Sequence, residues 1–543
     1  MSGSRLLDNR LYVDNKRFTV LGGEIHNSSS STVDAIRRSF ALTCEAGANT
    51  VLAPIAWERV EPTEGEFDFT LVDWMVETAQ EMRLKLIPLW FGSWKNGKSN
   101  YAPGWVKTNS ARFPRAAVRS AQSASTHALP ANALSPFCRE AAECDARAFT
   151  AVMHRIAETD PDGTVIMVQV ENEVGLLGDS RDRSRLAEQA WRGAIPERMI
   201  ASIRDASDLA VKDHWVARGS LAEGSWSEVL GESPEAEEAF MAWAYAEYVE
   251  YIASSGRKAL DVPLLVNAWQ DVEIDVPLSS GNEVPALAVA GGQQPGTYPS
   301  GGPVIRVAEI WRHFAPTIDL LCPDIYFGDF TAISRGYARL GGGLFIPEMR
   351  RGADGVASMF AAIAELDAVG VAPFGIDSID LESAEAATLK DGYRLLGAIA
   401  EASAAGSPKT GFALDERTPS QQRRMGDYLI EATAAGVMGI APPAYPAYGA
   451  LVMETPDTFL VAGRGITLSF TGDDMAVAFL EVSELDHHGR VVRWRNGDEI
   501  GSGSDSALRV TELFPPNHGF PIPMWEECTG LFRVRLYTQG PSV

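Results

Sequence analysis

Short apolar runs rich in β-branched residues recur eight times through roughly the first 400 residues, each followed by a segment with helical spacing. They are FTVLGGEIHN (18–27), NTVLAPIAW (49–57), LKLIPLWFGSW (84–94), VIMVQVENEVG (165–175), PLLVNAW (263–269), IDLLCPDIY (318–326), LFIPEM (344–349) and VAPFGID (371–377). A nearly continuous apolar run, in place of alternation, is what a strand buried on both faces requires. Between the runs, TVDAIRRSFALTCEAGA ends at Gly47, and TLVDWMVETAQEMR has Asp68 and Thr70 as candidate caps. Strand, helix, strand repeated eight times predicts an α/β chain built on a (β/α)8 TIM barrel. A doubly wound sheet usually carries a Gly-rich phosphate turn after its first strand, and GGEIHN has no GxGxxG.

Beyond residue 400 the pattern changes to period two. After the linker-like SAAGSPKTG come DTFLVAG, GITLSFTG, MAVAFLEVSE, RVVRWRNGDE and LFRVRLYTQ, separated by Gly, Asp and Asn turns. The expectation is a catalytic barrel over residues 1–404 and a smaller β-sandwich-like domain over residues 405–543, with QQRRMGDYLIEAT supplying one helix at its start. Two connections, about 176–262 and 270–317, exceed plain βα loops. The first holds a long helical stretch, PEAEEAFMAWAYAEYVEYIASS, and the second holds GGQQPGTYPSGGP. In a barrel, loops after strands wall the site, so both are candidate substrate walls.

The 543 residues hold 47 Lys plus Arg against 72 Asp plus Glu, a net charge of −25. Nucleic acid is held through clustered Lys and Arg, and no basic stripe stands out, so nucleic acid and anionic membrane surfaces are not expected partners. No run of about 18 apolar residues occurs and the N-terminus lacks an apolar h-region, which predicts a non-membrane protein, cytoplasmic or periplasmic. Five cysteines, none spaced CxxC, indicate neither a disulfide framework nor a zinc site, although Cys138 and Cys144 are near enough in sequence to pair. His487 and His488 read as a turn, and the first strand has no HxH, so no metal is called for, nor any other cofactor. A homo-oligomer is left open.

The chemistry gathers at strand ends. VQVENEVG closes a buried strand with Glu171, Asn172 and Glu173, and the C-terminal end of a barrel strand is where side chains leave the core for the pocket. LFIPEMRRG closes another with Glu348, which either faces Glu173 across the mouth or pairs with Arg350 or Arg351. Two such carboxyls are what glycoside hydrolysis needs: one held protonated for the leaving oxygen, one ionised beside the anomeric carbon. Trp57, Trp90, Trp94 and Trp269 fall at or just beyond strand ends, with Trp105 in the following loop, where rings pack against apolar sugar faces or simply fill the core. Lys95, Asn96 and Asn267 lie close by in sequence as candidate partners for sugar hydroxyls.

QVENEVG resembles the acid/base motif of family 35 glycoside hydrolases, the β-galactosidases of the large retaining barrel clan. IAWERVEPTEGEFDF resembles the second-strand motif of families 35 and 42, and LWFGSWKNGKSNYAPGWVK is similar to the third-strand region of a bacterial subgroup with a β-rich C-terminal domain. The resemblance spans essentially the whole chain. It implies Glu173 as acid/base, Glu348 as nucleophile, Asn172 on the sugar 2-hydroxyl, Glu171 in a supporting or pocket position, and Tyr326 of CPDIY hydrogen-bonded to the nucleophile. Where the clan often has a Trp at the end of strand eight, VAPFGIDSID offers Phe374, and LGGEIHN departs from the usual first strand, so the resemblance does not assign the roles of Glu24 and His26. The implied activity is a retaining exo-β-galactosidase acting on a carbohydrate substrate. Another β-glycosidase or plant-oligosaccharide exo-hydrolase of the clan, or a degenerate sugar-binding protein, is the alternative.

Overall fold

The computed structural model describes residues 3–119, 128–207, 209–273, 292–434, 445–473, 475–495, 507–510 and 528–539. Eight parallel strands close into a barrel: β1 (Val20–Glu24), β2 (Thr50–Ala56), β3 (Lys85–Lys95), β4 (Val168–Asn172), β5 (Leu264–Trp269), β6 (Leu320–Ile325), β7 (Phe345–Met349) and β8 (Gly370–Pro373). Each pairs with its neighbour in chain order, and β8 returns to β1. The helices that follow include α1 (Val33–Glu45), α2 (Thr70–Glu81), α3 (Arg139–Thr159), α4 (Pro234–Arg257), α5 (Ala308–Phe314), α6 (Phe330–Arg339), α7 (Gly352–Phe360) and α8 (Ala384–Ala402). The expected (β/α)8 barrel is therefore present.

Strand parity sorts the side chains. Val20, Leu52, Ile87, Leu89, Phe91, Leu265, Leu320, Cys322 and Phe345 fill the barrel, and Leu11 and Val13 of an N-terminal hairpin pack into the same cluster. The alternate residues face the helix layer, where they form the larger cluster. Local signals set the helix ends: Thr32 accepts the Ala35 amide, Asp68 accepts the Thr70 amide at 2.9 Å, and Gly47 takes φ +95 after α1. The long stretch predicted after β4 is α4, capped by Ser233 on the Ala236 amide. In the second long connection, residues 274–291 lie outside the described residues. Among the described residues, no helix is long and apolar enough to cross a membrane.

The C-terminal part folds as β9 (Lys409–Leu414), β10 (Ser420–Met425), β11 (Tyr428–Ala434), β12 (Ala447–Thr455), β13 (Thr458–Arg464), β14 (Ile466–Gly472), β15 (Ala476–Leu485), β16 (Val491–Arg495), β17 (Ala507–Val510) and β18 (Leu531–Gln539). They make a six-stranded antiparallel sheet, β9-β12-β13-β18-β15-β16, and a four-stranded one, β10-β11-β14-β17. The segment RVVRWRNGDE is strand over Val491–Arg495 and lies outside the described residues from 496 onward. The helix expected from QQRRMGDYLIEAT is instead the β10–β11 hairpin. Gly426, at φ +57, turns the chain so that Ser420 faces Thr433 and Met425 faces Tyr428, and the alternating residues of YLIEAT bury one face. Phe412, Ile430, Val461, Leu468 and Val534 fill the space between the sheets.

The outer face of the six-stranded sheet is not free. Tyr448, Ala450, Val452, Leu460 and Ala462 belong to the same buried cluster as the barrel helices, with the Tyr448 ring 4.7 Å from that of Phe360. Ion pairs Arg464–Asp391 (2.8 Å), Lys409–Asp367 (2.7 Å) and Arg423–Glu365 (2.9 Å) fringe this contact. All five cysteines are free thiols, Cys138 and Cys144 included.

Candidate active site

The ends of β1, β3, β4, β5, β6 and β7 converge on Glu348. Its Oε2 accepts the Tyr326 hydroxyl at 2.9 Å. Its Oε1 accepts the amide nitrogens of Asn172 and Asn267, each at 3.3 Å, and lies 3.7 Å from Lys95 Nζ. Of the two readings the sequence left for Glu348, the arginine pair is not the one adopted: Arg351 contacts Glu385 and Gly375, and Arg350 stacks over Phe327.

Glu173 sits across from it. Asn267 Oδ1 accepts the Glu173 amide at 2.8 Å, and Asn267 Nδ2 donates to Asp324 Oδ2 at 2.8 Å. One oxygen each of Glu173, Asp324 and Glu348 lie within 4.8 Å of one another. Burial pushes the Glu173 carboxyl up to about 8, the charge of Glu348 adds to this, and Lys95 and a hydrogen bond with Asp324 oppose it. Asp324 is raised well above the carboxylate range for the same reasons, burial first and then Glu348. Lys95 is pulled down by burial but driven up further by Glu348, Glu173, Glu24 and Asp324, so its ammonium balances the acids. Among the described residues, this carboxylate trio is the group spaced to hold a metal ion, and Lys95 already supplies positive charge there.

The backbone at the end of β4 explains which acid enters the pocket. Strand alternation alone would turn Gln169 and Glu171 inward together. Glu171 instead takes φ +62 and Glu173 φ +43, left-handed conformations that cost an L-residue of order 1–3 kcal/mol each. The reversal brings Asn172 and Glu173 to the mouth. Glu171 points away to β3, where its oxygens accept the Ser93 amide at 3.0 Å and the Trp94 amide at 2.8 Å. Behind it, Asp145 of α3 accepts Trp90 Nε1 at 2.8 Å and Ser93 Oγ at 2.6 Å and shares a hydrogen bond with Glu171; burial raises both acids. Glu171, expected among the substrate-binding residues, is thus fully used in fastening the end of β3, and with it Lys95.

Three of the four expected tryptophans are also corrected. Trp57, Trp90 and Trp94 are buried, with indole N–H groups bonded to Glu61, Asp145 and the Leu134 carbonyl. In β3 the inward residues are Ile87, Leu89 and Phe91, so Trp90 falls on the helix side; Trp94 packs edge-on to Tyr245 and Tyr248. Trp269 differs. It shares parity with Asn267, is partly exposed, and lies in register with Asp324. Trp105 supports Trp57, Asn96 turns the chain at φ +54, and Phe374 bridges Glu24 and meets His26 edge-on at 5.1 Å.

Asp324 escaped the sequence reading because it lies inside the apolar run LLCPDIY. The available signal was parity: Cys322 faces the barrel interior, so Asp324 two residues on does too. Glu24, on β1, is fully buried in the same pocket.

The family resemblance seen in the motifs holds in comparison with known proteins. Residues 10–222 match the model of glycosyl hydrolases family 35, and residues 389–505 match a domain of unknown function, DUF5597. The first match includes Asn172 and Glu173 and ends before Asp324, Tyr326 and Glu348. Comparison with curated proteins finds no match. Similar solved structures include the catalytic domain of β-amylase from Paenibacillus polymyxa, at 12% identity and TM-score 0.46 over 68% of this chain and 96% of that one. Another is the exo-β-1,4-mannosidase Op5Man5 from Opitutaceae bacterium strain TAV5, at 14% identity and TM-score 0.38 over 71% of this chain and 60% of that one.

Proposed function

From the premise that the barrel is of the family 35 glycosyl hydrolase kind over residues 10–222, we propose that this chain is a retaining exo-β-glycosidase that removes terminal β-D-galactosyl residues. The observation that carries the reading is the proximity of Glu173 and Glu348, with oxygens within 4.8 Å. Retaining enzymes hold their two carboxyls about 5–5.5 Å apart, and inverting ones leave roughly 6.5–9.5 Å for a water molecule.

Glu348, held by Tyr326, Asn172, Asn267 and Lys95, attacks the anomeric carbon as the Glu173 proton passes to the departing glycosidic oxygen. The C–O bond to the leaving group breaks and an ester to Glu348 forms. Glu173, now a carboxylate, takes a proton from water whose oxygen attacks the same carbon and releases Glu348. Two inversions return the β anomer. The raised pKa of Glu173 supports its part as the acid, because a carboxyl near 8 still holds its proton at neutral pH. Asn172 supports the nucleophile and the sugar 2-hydroxyl, Trp269 offers a ring at the mouth, and no metal or cofactor enters any step.

Galactosyl specificity follows from the family resemblance, and a panel of aryl β-galactoside, β-glucoside, β-mannoside and α-arabinoside tests it. Fastest turnover is expected on the galactoside; a preference of tenfold or more for another sugar moves the assignment to that glycosidase.

A further inference from the structure

Glu24 closes β1 on the inward parity of Val20 and Gly22, whose neighbours Leu52 and Ala372 form the barrel layer beneath it. It is fully buried, and neither carboxyl oxygen has a hydrogen-bond partner among the described residues. Glu173 Oε2 and Asp324 Oδ1 also lack a partner, but each of the other pocket acids keeps at least one contact through its carboxyl group, and among the described pocket acids Glu24 alone has both oxygens unpartnered. Glu348 accepts three hydrogen bonds, Asp324 accepts Asn267, and Glu173 contacts Asp324. A buried carboxyl lacking every partner is costly in a folded chain, and such a group calls for a ligand that completes it. Its charged surroundings are those of the reaction centre: Glu348, Lys95, Glu173 and Asp377.

We infer that Glu24 is a specificity-determining residue that hydrogen-bonds a ring hydroxyl of the sugar held between Glu173 and Glu348, at carbon 3, 4 or 6. This rests on the glycosidase reading above. Position 2 is left to Asn172 on β4, to which the family resemblance gives that hydroxyl and which lies beside Glu348, while β1 is three strands away round the barrel. Burial first, then the charge of Glu348, raises the Glu24 carboxyl well above its ordinary value against the pull of Lys95, and this rise favours the protonated form. A carboxylic acid offers one O–H donor and an acceptor oxygen, the complement of a hydroxyl that also does both. A site that leaves a polar group unpaired without its partner rejects analogues lacking that partner strongly.

The test compares wild type, Glu24→Leu and Glu24→Gln on 4-nitrophenyl β-D-galactoside and its four monodeoxy analogues. Glu24→Leu is expected to lower kcat/KM on the parent by about 100-fold or more, and equally on all analogues but one. On the 3-, 4- or 6-deoxy sugar missing the contacted hydroxyl, the two proteins should agree within about threefold, and Glu24→Gln should recover part of the loss on the parent. An equal loss on all five substrates, no loss at all, or matching on the 2-deoxy sugar overturns the inference. If Glu24→Leu does not fold, the Glu24→Gln series on the same substrates decides by the same pattern. Calorimetric titration of galactose, glucose and mannose into wild type and Glu24→Gln separates this from the glycosidase reading. Binding that weakens in the variant without any wild-type turnover sinks the enzyme and keeps the contact, turnover with unweakened binding does the reverse, and no binding of any sugar by wild type overturns both.

Discussion

The Tyr326 hydroxyl donates to Glu348 Oε2 at 2.9 Å, while Lys95 Nζ stands 3.7 Å from the other oxygen of the same carboxylate. Three strands, β3, β6 and β7, thereby fix one side chain from two sides. Tyr326→Phe keeps the ring and removes only the donor. A hydrogen bond to a charged group contributes about 1.5–3 kcal/mol, so kcat/KM should fall about 10- to 150-fold. Steady-state kinetics checks the loss, and an unchanged melting temperature separates it from unfolding.

The pH profile follows from Glu173, which must carry a proton in the first step. Its pKa is raised to about 8, by burial first and by Glu348 next, so kcat/KM should fall as pH rises through about 8. Glu173→Gln should remove that limb, and substrates with a good leaving group such as 2,4-dinitrophenol should retain more activity than alkyl galactosides. Linkage gives a second readout. A carboxyl raised above its ordinary 4.5 leaves stability intact below that pH and removes it progressively as pH rises to the folded value, so Glu173→Gln should melt higher than wild type at pH 9 and alike at pH 4.

Glu171 should behave as a fastening residue. Glu171→Ala leaves the buried Trp94 amide without its acceptor, at about 1–3 kcal/mol, and leaves the Ser93 amide with Asp145 as its remaining acceptor. Denaturant unfolding should show the loss, and kcat should drop with it because Lys95 follows Trp94 directly.

Trp94 and Trp269 separate core from mouth. Trp94→Ala should destabilise the fold by about 3–5 kcal/mol and leave KM within twofold, since its ring and N–H are used by Tyr245, Tyr248 and Leu134. Trp269→Ala should do the opposite, raising KM with little change in stability. Thermal melts and Michaelis curves on both variants read the contrast.

Cutting the chain after residue 404 should not yield a well-behaved barrel. Phe360 and its neighbours on α7 and α8 lie under Tyr448, Ala450 and Leu460, and removing that cover exposes a contiguous apolar face. Light scattering and circular dichroism of the truncated chain should report aggregation or a lowered melting temperature.

Much of this was legible because parallel strands buried on both faces write themselves as apolar runs, and eight such runs admit few architectures. The strand ends holding Glu173, Glu348 and Tyr326 were visible for the same reason. What the sequence concealed is backbone direction. Left-handed turns at Glu171 and Glu173 reverse the expected alternation, and nothing in VENEV announces them. The tryptophans misled because proximity to a strand end does not state which side of the barrel a ring faces; counting parity from Phe91 would have placed Trp90 among the helices. At the hairpin of residues 420–434, the helix expectation gave way to a Gly-Asp turn and period-two burial.

The most direct measurement is covalent trapping. Incubation with 2-deoxy-2-fluoro-β-D-galactosyl fluoride, proteolysis and mass spectrometry should find a single fluorogalactosyl adduct on the peptide of Glu348, located at Glu348 itself, with none in Glu348→Gln. An adduct on Glu173, Asp324 or Glu24, or a turnover product that first appears as the α anomer, would contradict double displacement through Glu348.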